Sequence, residues 1–240
     1  MSNIIQSLWI GDKLSTMERL CISSYIHHGH EFHLYTYNDI VGLPKNCIVK
    51  DASEILPKDQ IFSYNAGLGK GSYSAFSNYF RYKLLEIKGN WWTDTDMVCL
   101  KPISIKDDFV FASEKTADGN IHITSGIIKA TPDSEFSKYC YDFCLKQDKQ
   151  TLEWGTVGPR LVSEAVKNLN LTQYVKSPEL FNPIGFEQVG MLFDETFSDI
   201  DLSKSFTMHL WNEMWRRFNF DKDRQYDTNC LYEKFKTKYL

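Results

Sequence analysis

Two carboxylates, Asp94 and Asp96, stand two residues apart in NWWTDTDMVCL (residues 90–100), just behind Trp91 and Trp92 and just ahead of Met97, Val98, Cys99 and Leu100. Side chains alternate along a strand, so residues two apart point the same way, with Cα atoms roughly 6.6 Å apart in an extended chain. Where such a strand ends or kinks, both carboxylates can converge on one hard divalent cation or on its water shell. Beside a dry core, two carboxylates without a counter-charge are costly. The competing reading is a solvated hairpin turn. The segment lacks the Gly or Asn that a two-residue turn prefers, and its flanks are apolar, so the local chemistry favours a metal-binding or catalytic pair.

Other groups suit the same chemistry. Arg81 and Asn78, three residues apart just upstream, can be reached together from one flank of a helix. A guanidinium beside a metal-binding pair suits an anionic ligand or holds a carboxylate in orientation; the bland alternative is a surface ion pair. His209 is a lone histidine in TMHLWNEMW. Most such residues are satisfied core histidines, but a cation held by two carboxylates needs more ligands, and a neutral imidazole can supply one. Trp9, Trp211 and Trp215 read as core by default, with stacking on a base or sugar as the alternative. Weaker signals do not hold up. GLGKGS (residues 67–72) has Tyr64 where a phosphate-binding loop needs its first glycine and Gly71 where it needs Ser or Thr. His27, His28, His30 and His33 match no zinc spacing. Cys140 and Cys144 lie one helical turn apart with no second pair of ligands, and Cys21, Cys47, Cys99 and Cys230 stand alone. No Ser-His-Asp or Cys-His set is defensible from spacing.

The positioning elements follow from periodicity. NIIQSLWI is a first strand, GDKLS a polar turn, and residues 16–27 a helix; EFHLYTYN alternates, with Phe32 and Leu34 opposite His33 and Tyr35. A short strand near Cys47–Val49 completes a strand-helix-strand spacing that predicts an α/β layer with a largely parallel sheet. Residues 72–87 form the clearest helix, with Tyr73, Phe76, Phe80, Leu84 and Ile87 on one stripe, and Gly89 stops it. Strands are expected at the acidic pair, in DFVFASE, and in IHITSGIIKAT as a pair or as one bulged strand. Helices are expected over 132–145 and 160–169, and the last fifty residues read as irregular.

At 240 residues, 42% hydrophobic and 15% aromatic, the chain is expected to fold as one domain over residues 1–240 with a substantial core. A formal charge of -4, from 27 basic and 31 acidic residues, gives no general attraction for nucleic acid or anionic membrane. The start has no basic leader, and no window is long and apolar enough to cross a bilayer. The expectation is a cytoplasmic protein with at most transient contact with a membrane surface.

The segment SAFSNYFRYKLLEIKGNWWTDTDMVCLKPI resembles the DXD-containing glycosyltransferases of the Och1-like and α-1,4-galactosyltransferase-like kind, which are related to the catalytic domains of clostridial glucosylating toxins. Ser77, Arg81, Tyr82, Leu85, Gly89, Trp92, Asp94 and Asp96 fill the matching positions. NIIQSLWIG resembles the family's first strand with its Trp9, TSGIIKATPDS the segment after the metal strand, TVGPR its Gly158-Pro159 signature, and HLWNEMW its terminal His and Trp element. The resemblance implies a GT-A type α/β fold, a mixed and mostly parallel sheet flanked by helices. It also implies a metal-dependent, retaining transfer of a hexose from a nucleotide sugar, a UDP-sugar ahead of a GDP-sugar. The acceptor would be a glycan, lipid-linked glycan or protein, and the cation Mn2+ or Mg2+. By the same resemblance Asp96 coordinates the metal directly, Asp94 meets it through water or binds ribose, and His209 completes the shell. Arg81 binds the donor or neutralises the charge that develops. Trp9 packs on the base, Ser125 and Gly126 approach the donor sugar, and Asn78 and Trp215 belong to the donor site. Three positions depart from the pattern: Asn78 stands where the family has aspartate, Asn90 replaces a second glycine, and Gln6 replaces a histidine. No glutamate is singled out as a nucleophile among Glu153, Glu187 and Glu213, which fits a front-side displacement. The alternatives are a non-catalytic nucleotide-sugar or glycan-binding protein and a metal-dependent diphosphate hydrolase.

Overall fold

The computed structural model describes residues 3–197 and 200–240. The chain begins with strand β1 (Ile4–Trp9), helix α1 (Thr16–His27), and strands β2 (Glu31–Thr36) and β3 (Ile48–Asp51). Helix α2 (Ser74–Lys88) then runs into strand β4 (Asn90–Thr93). Strands β5 (Met97–Cys99), β6 (Val110–Lys115) and β7 (Ile121–Ala130) precede helices α3 (Glu135–Leu145), α4 (Leu161–Asn168) and α5 (Pro178–Phe181). Strand β8 (Thr207–His209) and helices α6 (Asn212–Phe218) and α7 (Leu231–Tyr239) complete the chain.

Six strands form one sheet in the order β3-β2-β1-β4-β7-β6. The pairs β1–β2, β1–β4 and β2–β3 are parallel, while β4–β7 and β6–β7 are antiparallel. This is the mixed, mostly parallel α/β arrangement expected from the sequence. Adjacent residues of the central strands bury into different cores, as in a sheet covered on both faces. Trp91, Ile127, Val110, Phe32 and Leu34 enter the cluster that includes Tyr25 of α1; Trp92, Ile128, Phe111 and Tyr35 enter the one shared with Phe76 and Phe80 of α2 and Phe136 of α3. The alternation expected for residues 32–35 thus holds for Phe32, Leu34 and Tyr35. Each fully buried indole of the Trp91–Trp92 pair contributes roughly 2–3 kcal/mol of apolar burial, which fixes the register of β4 immediately before the carboxylates.

α1 occupies the residues expected, and its first turn is held by the Ser15 N–H donating 2.7 Å to the Glu18 carboxylate. α2 starts at Ser74 rather than residue 72, and its apolar stripe is shorter than expected: Phe76, Phe80 and Leu84 are buried, whereas Tyr73 and Ile87 are exposed. Gly89 ends the helix with φ 61°, and the buried Gln6 side chain donates 2.7 Å to its carbonyl. Asn90 follows with φ 68°. Asparagine tolerates this left-handed backbone best after glycine, so the loss of the second glycine leaves the turn intact. IHITSGIIKAT forms one strand, with a bulge in its pairing to β6 between Phe111 and Ser113. The carboxy-terminal region is more regular than expected. β8 pairs antiparallel with β5, and α7 buries Leu231, Tyr232, Phe235 and Tyr239.

Candidate functional site

β1 is flanked by β2 on one side and β4 on the other, the point where an open α/β sheet reverses its winding and leaves a crevice beyond its carboxyl ends. A cleft of about 560 Å³ opens there, lined by Trp9, Ser77, Asn78, Arg81, Asp94, Asp96, Glu114, Ser125, Trp154 and His209 among others. β4 stops at Thr93. The Asp94 N–H still donates 2.7 Å to the Gly126 carbonyl of β7, and a turn at Thr95–Asp96 then carries the chain across to β5. The acidic pair therefore sits where the chain leaves one sheet for another, and both carboxylates line the cleft. It is not a solvated hairpin.

Asp94 Oδ1 accepts from Arg81 Nη2 at 2.8 Å and from the Trp92 indole N–H at 2.9 Å. Arg81, 3% exposed on α2, also donates Nη1 to the Ser125 carbonyl, and its guanidinium lies 4.8 Å over the Trp92 ring. Arg81 is therefore no surface ion pair. Asp96 Oδ2 accepts from His209 Nε2 at 3.1 Å and from the Asn212 backbone N–H at 2.8 Å. Burial raises the Asp94 carboxyl above its ordinary range, opposed by Arg81 and reinforced by Asp96. Burial pushes Asp96 the same way, but the His209 charge and hydrogen bond and the Asn212 N–H outweigh it and hold Asp96 low. Burial pulls His209 down, and Asp96 and then Asp94 overcome it and raise it.

The arrangement suits a divalent cation. Among the described residues no hydrogen bond from another residue reaches Asp94 Oδ2 or Asp96 Oδ1, and His209 Nδ1 is buried with no partner. A Cβ on Gly126 would stand 3.5 Å from both Asp94 Oδ2 and the His209 ring, so the glycine keeps the space between them open. Among the described residues no three His, Cys, Asp or Glu are disposed as a complete ligand set. A cation held by this pair would draw its remaining ligands from water and from substrate oxygens, as Mg2+ habitually does.

The other expected residues divide. Trp9 is half-buried at the rim, its indole N–H donating 3.2 Å to the Lys13 carbonyl. Asn78 is 6% exposed, with Oδ1 unpartnered among the described residues; a Cβ on Gly158 would meet its Nδ2 at 3.3 Å and Ser125 Oγ at 3.5 Å. Asn78, Ser125 and the Gly158-Pro159 turn therefore converge on one corner of the cleft. Trp215 does not belong there: it is 0% exposed in the carboxy-terminal core, its indole N–H donating 2.7 Å to the Leu210 carbonyl. Trp211 stands in its place on the cleft wall, with its ring stacked on His209 at 3.7 Å. Its backbone is left-handed, φ 57° and ψ 53°, a conformation that costs a bulky residue about 1–3 kcal/mol. The turn aims the following Asn212 N–H at Asp96 and is held by Trp211 Nε1 donating to the Ile184 carbonyl at 3.1 Å. Sequence reasoning also passed over Glu114 and Trp154. Glu114 left one trace, a carboxylate closing the apolar run of DFVFASE.

Residues 130–239, a little under half of the chain, match the family model described as "Alpha 1,4-glycosyltransferase conserved region". The match runs from the end of β7 to α7 and includes His209 and the Gly158-Pro159 turn; the acidic pair lies ahead of it. It bears out the resemblance to glycosyltransferases. No curated protein matches the chain. Similar solved structures include one titled "PaToxG Glycosyltransferase", 11% identical, covering 100% of this chain and 86% of that one with a TM-score of 0.49. Two others are titled as transferases. One carries cysteine-to-serine substitutions, is 10% identical, and covers 70% of this chain and 85% of its own with a TM-score of 0.45. The other is 9% identical, with 70% and 84% covered and a TM-score of 0.42.

Proposed function

We propose that this chain, whose residues 130–239 carry the alpha 1,4-glycosyltransferase conserved region, works as a single domain that moves a hexose from a nucleotide sugar, a UDP-sugar by preference, to a hydroxyl of a glycan, glycolipid or protein. Transfer retains the anomeric configuration and requires Mn2+ or Mg2+. The observation that carries this reading is the acidic pair with, among the described residues, one free oxygen on each carboxylate, facing the same cleft as a buried arginine whose Nε has no partner there. A bound divalent cation would neutralise the donor diphosphate and so improve it as a leaving group. Asp96 and Asp94 would hold that cation, and His209 Nδ1, on losing its proton to solvent, would offer a ring nitrogen beside them.

Within this frame each residue has a task. Arg81 keeps Asp94 oriented and presents positive charge to the phosphate oxygens as the glycosyl–phosphate bond breaks. Asn78 and Ser125, with the bare Gly158, shape the corner that takes the donor sugar, and Trp9 offers its face to the base. In a front-side displacement the acceptor oxygen forms its bond to the anomeric carbon while the bond to phosphate oxygen breaks, and the acceptor proton passes to the departing phosphate. The working location under this proposal is the cytoplasm, with at most transient contact with a membrane surface. Among the described residues no helix is long and apolar enough to cross a membrane.

The test pairs thermal stability with turnover. Mn2+ together with one of a panel of UDP- and GDP-sugars should raise the melting temperature, because a ligand selective for the folded state stabilises it, and should give slow donor hydrolysis. Asp96→Ala should lose both effects. Binding without turnover would make the protein a nucleotide-sugar binder. Release of phosphate from donors with no sugar moved to any acceptor would make it a diphosphate hydrolase. Absence of binding to every nucleotide sugar would end the proposal.

A further inference from the structure

The cleft has a wall that the donor-binding roles leave unused. Glu114, at the far end of β6, lines the cleft, and its Oε2 is buried with no hydrogen-bond partner among the described residues. Leaving a buried carboxylate oxygen unpaired is unfavourable unless a ligand satisfies it. The same wall is continuous with two aromatic rings. The Gly185 backbone packs so tightly on the Lys115 carbonyl that a Cβ would fall 2.6 Å from it, which sets Phe186 beside the end of β6. The Phe186 ring lies 6.1 Å from that of Trp211, and Trp211 stacks on His209, the partner of Asp96. A carboxylate, two partly exposed rings and the edge of the acidic pair therefore form one surface.

The chemistry of that surface narrows its ligand. A third carboxylate repels the donor's diphosphate, so Glu114 is the wrong group for the anionic end of the donor. Burial holds the Glu114 carboxyl above its ordinary range, with the His209 and His122 charges opposing and Glu187 reinforcing. What the wall offers is a carboxyl oxygen as acceptor, which suits an incoming hydroxyl. An uncharged pyranose suits it, because the ring's C–H face packs on indole and phenyl while a hydroxyl donates to the carboxylate.

Resting on the glycosyltransferase reading above, we infer that Glu114, Phe186 and Trp211 form the acceptor subsite, that the acceptor is a neutral sugar rather than an acidic sugar or a protein side chain, and that Glu114 positions it by accepting a hydrogen bond from one of its hydroxyls. Glu114 sits on a strand, so the acceptor is held by a rigid element.

The experiment uses the full chain with Mn2+ and the nucleotide sugar that binds it. Lactose, methyl β-galactoside and methyl β-glucoside serve as neutral acceptor probes and sialyllactose as an acidic one. The wild type should transfer to at least one neutral probe more efficiently than to sialyllactose. Glu114→Gln should raise the acceptor KM by about tenfold, leave the donor Kd within about twofold by calorimetry, and narrow the neutral-over-acidic preference. Phe186→Leu should raise the same KM without narrowing that preference, which keeps the inference testable if the Glu114 variant misfolds. A preference for sialyllactose, transfer to none of the neutral probes, or a Glu114→Gln variant that weakens the donor while sparing acceptor KM would overturn it. If no nucleotide sugar binds at all, the underlying glycosyltransferase reading fails first and carries this one with it.

Discussion

Removing the Arg81 guanidinium should destabilise the protein through Asp94, and the size of the effect can be worked from the contacts. Arg81→Met keeps most of the apolar stem while deleting the donors to Asp94 Oδ1 and to the Ser125 carbonyl. Stripping one member of a buried pair costs about 3–5 kcal/mol, because the other charge is left uncompensated. Arg81 is 3% exposed, but Asp94 keeps 28% of its side chain open to the cleft, so solvent recovers part of the loss and the lower end, about 3 kcal/mol, applies. For a chain of this length each kcal/mol lowers the melting temperature by roughly 2–4 °C, giving a fall of about 6–12 °C. Asp94→Asn retains an acceptor for Arg81 and Trp92 and should cost less, about 1–2 kcal/mol. If the pairing is the cause, the double variant is less damaged than the sum of the singles, by about 1.5 kcal/mol or more. Urea melts of the four proteins read this directly. Single effects that add to within about 0.5 kcal/mol would show that Arg81 stabilises α2 for reasons unrelated to Asp94, and the electrostatic account of the site would be refuted.

Two further outcomes follow from other corners of the structure. Gly158→Ala places a methyl 3.3 Å from Asn78 Nδ2 and 3.5 Å from Ser125 Oγ; titration calorimetry on the folded variant should show nucleotide-sugar Kd rising about tenfold. His28, half-buried against Tyr239, is held down to about 4 from an ordinary 6.5, chiefly by burial and then by Lys238, His27 and His30. The unfolded chain therefore takes up this proton first, so the contribution to stability is complete above pH 6.5 and is lost as pH falls towards 4. Melting temperatures of His28→Gln should vary less with pH across that window than those of the wild type.

The acidic pair was legible because its conflict is local: charge interrupting a run that otherwise belongs in a core. α1 was legible for the same reason, since cap, periodicity and stop all lie within a dozen residues. The tryptophans were not. Trp211 and Trp215 occupy the same short stretch, and which of them meets the cleft depends on a left-handed turn at Trp211 that no local pattern demands. Glu114 was hidden because a carboxylate at the end of a strand usually meets water; that this one lines the cleft beside Phe186 and Trp211 is set by the close approach of Gly185 to the Lys115 carbonyl, which no local pattern announces. β8 is three residues long and exists by pairing with β5 across more than a hundred residues, a partnership that periodicity cannot see. α7 carries its apolar side chains at Leu231, Tyr232, Phe235 and Tyr239 among enough lysines to mask the pattern.

That late pairing has a consequence for how the protein comes to life on the ribosome. Asp94, Asp96 and Arg81 emerge early and wait, while the histidine and amide that satisfy Asp96 arrive more than a hundred residues afterwards. Contacts between such distant stretches form slowly. Until they do, β5 presents a bare edge of the kind that recruits strands from neighbouring chains, so the nascent chain has an unsatisfied Asp96 and is vulnerable to clumping. Completion of the Asp96 hydrogen bonds and escape from aggregation are brought about by the same event, the docking of the last short strand.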